Sequence, residues 1–211
     1  MAVNKEKVKD LLKEIKPATL VAATKYANVE DLYELEKLGI NIFGENIVQS
    51  LLEKYESYQG RSKFHMIGTL QTNKVRYIID KVDMIHSVAN YRLIDEIDKQ
   101  AKKNNLVMKI LIQVNIAKEE SKHGFEKEEL VEVFKYLENK ENILAKGLMV
   151  MAPNIDAKDT EIYFKEANEL LDIFSKTYPN LTELSMGMSN DYKYALKHNA
   201  TYIRIGSLLF K

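Results

Sequence analysis

The chain has 211 residues, with 31 Lys plus Arg against 31 Asp plus Glu, so no field of one sign points to nucleic acid or an anionic membrane as a partner. It contains no cysteine, which excludes disulfides, thiolate metal sites and a cysteine nucleophile, and its four histidines lack metal-ligand spacing. Because the first residues are charged and no apolar stretch has the length of a membrane span, we expect a metal-free cytoplasmic protein.

Short apolar runs alternate with amphipathic helical patterns along the whole chain. The predicted strands, in chain order, are residues 18–24, 40–43, 64–67, 84–88, 107–114, 145–150, 181–185 and 202–205. The run 107–114 is almost continuously apolar, which is typical of a strand covered on both faces. Most of these strands are followed by a helical pattern, as in a parallel α/β protein.

Two architectures give this alternation, an open doubly wound sheet and a closed (β/α)8 TIM barrel. The count of eight strands favours the barrel, and the chain lacks the glycine fingerprint of dinucleotide-binding sheets. We therefore predict one (β/α)8 barrel domain over residues 1–211. An N-terminal helix, with Val8, Leu11 and Ile15 on one face, is expected to complete the outer ring of helices beside the last strand.

Polar residues follow the predicted strands, and in a barrel these positions face one cavity. Lys25 follows the first strand, where an amine either pairs with an anion or, if partly desolvated, attacks a carbonyl. Ser189 follows the seventh strand, and Gly206-Ser207 follow the eighth. Backbone N–H groups in these two loops form the usual phosphate site of the fold. The alternative is that Ser189 or Asn190 caps a helix and Gly206 makes a turn.

Arg204 lies inside the last apolar strand, where a buried guanidinium needs a partner. It either forms a structural pair with a carboxylate such as Glu45 or donates to a ring nitrogen or acidic group of a ligand. Asn46 is a candidate amide lining the cavity. His65 is first interpreted as a hydrogen-bonded core histidine.

Several motifs together resemble the pyridoxal 5′-phosphate (PLP) homeostasis protein family, in order and over nearly the whole chain. The matching runs are Val21-Ala22-Ala23-Thr24-Lys25, Phe43-Gly44-Glu45-Asn46, His65-Met66-Ile67-Gly68-Thr69-Leu70-Gln71-Thr72-Asn73-Lys74, His86-Ser87-Val88, Lys122-His123-Gly124, Ser185-Met186-Gly187-Met188-Ser189 and Arg204-Ile205-Gly206. One departure is Ser207, where threonine is common in the family, and it keeps the hydroxyl.

The resemblance implies a barrel like the N-terminal domain of alanine racemase, with PLP held on Lys25 as a Schiff base. It implies that Ser189, Gly206 and Ser207 hold the phosphate and that Arg204 faces the pyridine nitrogen. It also implies that Asn46 and His65 lie near the cofactor. The family is regarded as PLP carriers or regulators of vitamin B6 pools without established catalysis, and apo PLP-dependent enzymes are possible recipients.

Catalysis at an amino acid is disfavoured because Arg204 leaves the pyridine nitrogen unprotonated, which weakens the ring as an electron sink. A racemase also needs a second base opposite Lys25, and no tyrosine follows a motif that places one there. We predict a monomeric PLP-binding homeostasis protein without catalytic residues. The alternatives are a weak PLP-dependent amino-acid racemase, a barrel enzyme that uses Lys25 as a Schiff base without PLP, and an interaction module.

Overall fold

Eight parallel strands close into a barrel in chain order, because each strand pairs with the next and the eighth pairs with the first. This computed structural model describes residues 2–118 and 123–210. Within those residues the strands are β1 Thr19–Ala23, β2 Ile42–Glu45, β3 Lys63–Met66, β4 Met84–Val88, β5 Met108–Val114, β6 Ile143–Val150, β7 Glu183–Ser185 and β8 Tyr202–Ile205. The predicted TIM barrel is confirmed, and every predicted strand lies within two residues of its observed bounds.

Helices surround the barrel and follow the strands. In the described part of the chain they are α1 Lys5–Glu14, α2 Val29–Lys37, α3 Val48–Ser57, α4 Val75–Ile78, α5 Tyr91–Lys103, α6 Leu130–Leu137, α7 Glu161–Ser175 and α8 Tyr192–Lys197. The start of α2 is set by Asn28, whose side chain accepts from the N–H of Asp31 while the Asp31 carboxylate accepts from the N–H of Asn28. None of the helices described is both long and apolar enough to cross a bilayer.

The predicted role of α1 is confirmed, since this helix packs against the last residues of the barrel. The N–H of Asn4 donates to the carbonyl of Leu209 at 2.8 Å, and Val3 forms an antiparallel bridge with Phe210. At the other end of α1, the Tyr192 hydroxyl lies 3.0 Å from a Glu14 carboxylate oxygen. Helix α1 thus fills the place beside α8 and closes the outer ring.

Two apolar layers hold the barrel together. The larger layer lies between the strands and the helices and includes Phe43, Ile110 and Ile203. Inside the barrel are two small clusters, one around Val21, Ile42 and Ile67 and one around Met84, Leu111 and Met149. The rest of the interior is polar, and that polar part belongs to the candidate site.

A bulge in β6 depends on Gly147. The pairing with β5 shifts register here, so that Ala145 faces Ile110 while Gly147 faces Leu111. Gly147 has φ +152°, and a Cβ at this position would lie 1.8 Å from the backbone oxygen of Glu183 on β7.

We expect Gly147→Ala to lower the free energy of unfolding by about 3–4 kcal/mol, because it combines backbone strain with a collision against backbone. Urea unfolding measures this loss. Gly39→Ala is the matched control, since Gly39 also has positive φ (+98°) but its nearest atom, Leu12 Cδ1, is 3.9 Å away. Equal losses in the two variants would show that the collision does not matter.

Candidate functional site

Lys25 lies at the carboxyl end of β1, one residue beyond Thr24, as predicted. The structure corrects one expectation, because the side chain is exposed rather than partly desolvated. Strand β1 ends at Ala23, so Lys25 extends from the loop with its Nζ 4.8 Å from the centroid of the Tyr26 ring. The amine is therefore free to reach a ligand at the mouth of the barrel.

A buried ion pair fixes the backbone immediately before Lys25. The Nζ of Lys54, on α3, lies 2.7 Å from Oε1 of Glu45 and 2.5 Å from the carbonyl oxygen of Thr24. The Thr24 hydroxyl donates to the same Glu45 oxygen at 2.5 Å, and Ser50 donates to the other at 3.0 Å. The Glu45 carboxylate is fully buried, so this network anchors the end of β1 to β2 and α3.

Arg204 is buried in β8, and its partner is not Glu45. The ion pair between Arg204 and Glu45 that the sequence suggested is wrong, because Glu45 forms its ion pair with Lys54. Instead, Nη1 of Arg204 donates to Oγ of Ser185 at 2.6 Å, and Nη2 donates to the carbonyl of Val150 at 2.9 Å. No carboxylate among the described residues lies within ion-pair distance of the Arg204 guanidinium. Burial lowers the pKa of Arg204 to about 10, so it remains charged at neutral pH.

The barrel interior also contains two histidines in contact. Nδ1 of His65 lies 2.9 Å from Nε2 of His86, and Nδ1 of His86 lies 3.0 Å from Oγ of Ser185. Burial lowers the pKa of both imidazoles, and the neighbouring charge of Arg204 contributes for His86. In the sequence, His86 stands out only as part of a family motif, because its contact with Ser185 across the barrel leaves no local pattern.

The loops after β7 and β8 offer N–H groups that no described residue accepts from, and the loop after β8 lies beside β1. A Cβ on Gly206 would lie 3.2 Å from the carbonyl oxygen of Ala23, so the end of β8 touches the end of β1. Ser189 and Ser207 line one open cleft of about 430 Å³, a typical size for a ligand site. Within the described chain, the N–H groups of Ser189, Asn190, Gly206 and Ser207 donate to no protein acceptor. These groups are available to an anion.

Neither Ser189 nor Asn190 caps a helix in the loop after β7, so that alternative is wrong. Helix α8 begins at Tyr192, and the residue before it is Asp191 rather than Ser189 or Asn190. The Asp191 carboxylate accepts from the N–H of Met188 at 2.6 Å. Ser189 therefore keeps both its hydroxyl and its N–H for another partner.

Asn46 and His65 do not line the cleft that Ser189 and Ser207 share, and neither do Lys25 and Arg204. Asn46 is exposed directly after β2 and lines a separate cleft with Thr69 and Gln71. His65 is buried inside the barrel, in ring contact with Tyr202 at the start of β8, which puts it deeper than the mouth. It is a hydrogen-bonded core histidine, as its first interpretation held. Lys122, part of the family motif, lies outside the described residues.

The arrangement suits one kind of ligand. An amine attacks a carbonyl carbon, loop N–H groups bind an anionic tail, and a buried guanidinium donates to a ring nitrogen. PLP carries all three groups, so the chemistry of this donor set fits it. No three His, Asp or Glu side chains cluster as a metal site among the described residues.

Comparisons with known proteins agree with this fit. The family model described as alanine racemase, N-terminal domain, matches residues 2–211. The pyridoxal phosphate homeostasis protein of Aquifex aeolicus (strain VF5) is 43% identical over 196 residues, which cover 92% of this chain and 86% of the relative.

Two solved structures extend the likeness. PipY of Synechococcus elongatus PCC7942, determined with PLP bound, is 30% identical with a TM-score of 0.90, and the match covers 98% of this chain and 99% of that one. Alanine racemase of Clostridium difficile 630 is 15% identical with a TM-score of 0.80, and the match covers 98% of this chain and 56% of the racemase. The second likeness concerns the fold alone.

Proposed function

Because this chain belongs to the pyridoxal phosphate homeostasis protein family, we propose that it binds PLP and serves in cellular PLP homeostasis as a carrier or regulator. The observation that carries the proposal is the register of β1 against β8, in which Ala22 faces Ile205. This register supports the proposal, because it sets the backbone of Lys25 and the N–H groups of Gly206 and Ser207 at the ends of neighbouring strands. When bound, PLP supplies an aldehyde that condenses with an amine and a ring that withdraws electrons.

Each residue of the set has a separate task in this proposal. The amine of Lys25 holds PLP covalently at the aldehyde carbon of the cofactor. Ser189, Gly206 and Ser207 bind the phosphate through backbone N–H groups and hydroxyls. Arg204 donates to the pyridine nitrogen, and Asn46 lies on the rim of the mouth. The site is proposed to belong to a single PLP-binding barrel spanning residues 1–211.

We infer that the chain is a binding protein and not a catalyst. A guanidinium has no acceptor, so Arg204 cannot support a protonated pyridine nitrogen, and the ring is left a weak electron sink. Racemisation further requires a base on each face of the substrate. In the part of the chain that the structure describes, Lys25 is the base that the site offers, and Tyr26 lies against Lys25 itself.

Lys25→Ala is expected to abolish covalent PLP attachment while leaving the fold intact. The exposed side chain contributes little packing, so the free energy of unfolding should change by less than about 0.5 kcal/mol. The measurement is borohydride reduction of the PLP-loaded protein, then peptide mapping by mass spectrometry. Lys9→Ala, at an exposed lysine of α1, is the matched control and should retain the modification at Lys25.

Two results would contradict the proposal. The first is wild-type protein that takes up no PLP, or takes it up on a lysine other than Lys25. The second concerns catalysis alone: exchange of an amino acid α-proton in deuterated water, faster than with free PLP, would show that the protein is an enzyme.

We infer a cytoplasmic monomer that passes PLP to apo PLP-dependent enzymes. The inference of a monomer is supported by the barrel, which closes within one chain. Sedimentation velocity of the loaded protein tests it, and a concentration-independent dimer would contradict it.

A further inference from the structure

We propose that His86 and His65 are positioning residues for Arg204, joined to it through Ser185 by a chain of hydrogen bonds with a single direction. The chain runs Arg204–Ser185–His86–His65, with links of 2.6, 3.0 and 2.9 Å. It starts on β8 and β7 and ends on β4 and β3, on the opposite side of the closed barrel. It therefore spans the interior beneath the proposed PLP site, and its role toward a ligand depends on that proposed function.

The two ends of the chain decide its direction. At one end, Arg204 has only donors, so Ser185 Oγ accepts from it. At the other end, Nε2 of His65 has no hydrogen-bond partner among the described residues, and a carboxylate oxygen of Asp83 lies 3.8 Å from it. A carboxylate favours an N–H facing it over a lone pair. Both ends thus favour donation from Arg204 toward Asp83.

The middle of the chain then has one consistent arrangement. The Ser185 hydroxyl donates to Nδ1 of His86, so His86 carries its hydrogen on Nε2. That N–H donates to Nδ1 of His65, so His65 also carries its hydrogen on Nε2. The reverse arrangement would leave the Ser185 hydrogen buried without an acceptor among its described contacts and would turn a lone pair of His65 toward Asp83.

Both imidazoles are neutral in this arrangement, because Nδ1 of each ring accepts a hydrogen bond and only Nε2 carries a hydrogen. Charge remains only at the two ends. Asp83 is paired with Lys63 at 2.9 Å and Lys109 at 3.2 Å, whereas Arg204 has no carboxylate partner among the described residues. The guanidinium is therefore oriented by neutral groups, Ser185 and the Val150 carbonyl, and keeps its full positive charge for a ligand.

The first test needs no ligand. Nitrogen-15 NMR of the imidazoles in unloaded protein should show both His65 and His86 as Nε2–H tautomers, with no titration between pH 8 and pH 6. A hydrogen on Nδ1 of His86, or titration of either ring near pH 6.5, would overturn the proposed direction. This outcome is independent of PLP binding.

The second test asks whether the chain positions Arg204. Ser185→Ala removes the link between Arg204 and His86, and we expect roughly tenfold weaker PLP binding and a shifted visible absorption maximum of the bound cofactor. Ser87→Ala is the matched control, because Ser87 is an equally buried hydroxyl on the same strand as His86 with no described partner. It should change neither quantity.

The results separate this inference from the proposed function. Equal effects of Ser185→Ala and Ser87→Ala, or no effect of Ser185→Ala, would overturn the positioning role even if borohydride still fixes PLP to Lys25. Wild-type protein without PLP uptake would instead overturn the proposed function, while the tautomers measured by NMR would still test the chain. Ser185→Thr restores the hydroxyl, and we expect it to recover the absorption maximum of the wild type.

Discussion

Lys54→Met is expected to lower the free energy of unfolding by about 3–5 kcal/mol, because it leaves a fully buried carboxylate without its cation. The Lys54 ammonium is the cationic partner that the structure gives to Glu45, 2.7 Å away, and it also binds the Thr24 carbonyl at 2.5 Å. The carbonyl belongs to the residue before Lys25. We therefore expect weaker PLP attachment at Lys25 as well as lower stability.

A double variant separates these two effects. In Lys54→Met combined with Glu45→Leu, both charges are gone, and an apolar pair in their place is often neutral or stabilising. Urea unfolding should therefore show recovery of only part of the lost stability, because the Thr24 and Ser50 hydroxyls lose their acceptor when Glu45 is replaced. PLP attachment should stay weak, because the Thr24 carbonyl still lacks its donor. The control is Lys13→Met on the exposed side of α1, which should change neither property. If Lys54→Met unfolds like this control, the ion pair does not stabilise the fold.

The sequence was sufficient to predict the barrel for a physical reason. Strands buried on both faces are nearly continuous apolar runs, and helices packed on them repeat every 3.6 residues, so both elements are visible locally. The closure of the outer ring by α1 was also predictable, because Val8, Leu11 and Ile15 share one face. The observed strand boundaries differ from the predicted ones by up to two residues, because a strand ends where its hydrogen bonds to neighbouring strands end and not where the hydropathy changes.

The site was predictable only where the fold rule applies. The carboxyl ends of parallel strands meet at one mouth, and this predicts from the sequence alone that Lys25, Ser189 and Gly206 lie at that end of the barrel. Pairing between side chains was not predictable. Glu45 was considered as a partner for Arg204, but Lys54 of α3 lies 2.7 Å from Glu45 instead. The position of Lys54 relative to β2 depends on tertiary packing that no local pattern records.

The two interior histidines show the same limit. His65 and His86 lie on adjacent strands, and β3–β4 register places Met84 opposite His65. Ser185 contacts His86 from across the barrel, 99 residues along the chain from it. Such a contact requires barrel closure and strand tilt to be known first, so the sequence indicated the residues without their connection.

Acidification from pH 7 to pH 5 is expected to destabilise the protein through these histidines. Burial lowers the pKa of both His65 and His86 in the folded state, whereas each titrates near 6.5 when unfolded. Below pH 6.5 the unfolded chain therefore binds protons that the folded chain excludes. The free energy of unfolding should fall by about 1.4 kcal/mol per pH unit for each histidine, until the pH reaches the folded pKa.

The groups around the pair do not reverse this sign. His86 faces Arg204 and Ser185, and His65 faces Asp83, whose partners are Lys63 and Lys109. The contact with the His65 imidazole first, and then the two lysines, lower the pKa of Asp83, so the stability that Asp83 contributes is lost as the pH falls from the ordinary carboxyl range towards this lowered pKa. Asp83 therefore adds nothing to the slope between pH 5 and pH 6.5.

His86→Asn isolates the contribution of one imidazole. The variant will be less stable overall. The slope of its free energy of unfolding against pH depends only on how many more protons the unfolded chain binds than the folded one. With one titrating group removed, this slope should decrease by about 1.4 kcal/mol per pH unit. Urea unfolding at several pH values in 0.5 M salt measures the slope with surface charges screened. An unchanged slope in His86→Asn would mean that His86 is protonated in the folded barrel. That result would also remove the neutral tautomer on which the directed chain to Arg204 depends.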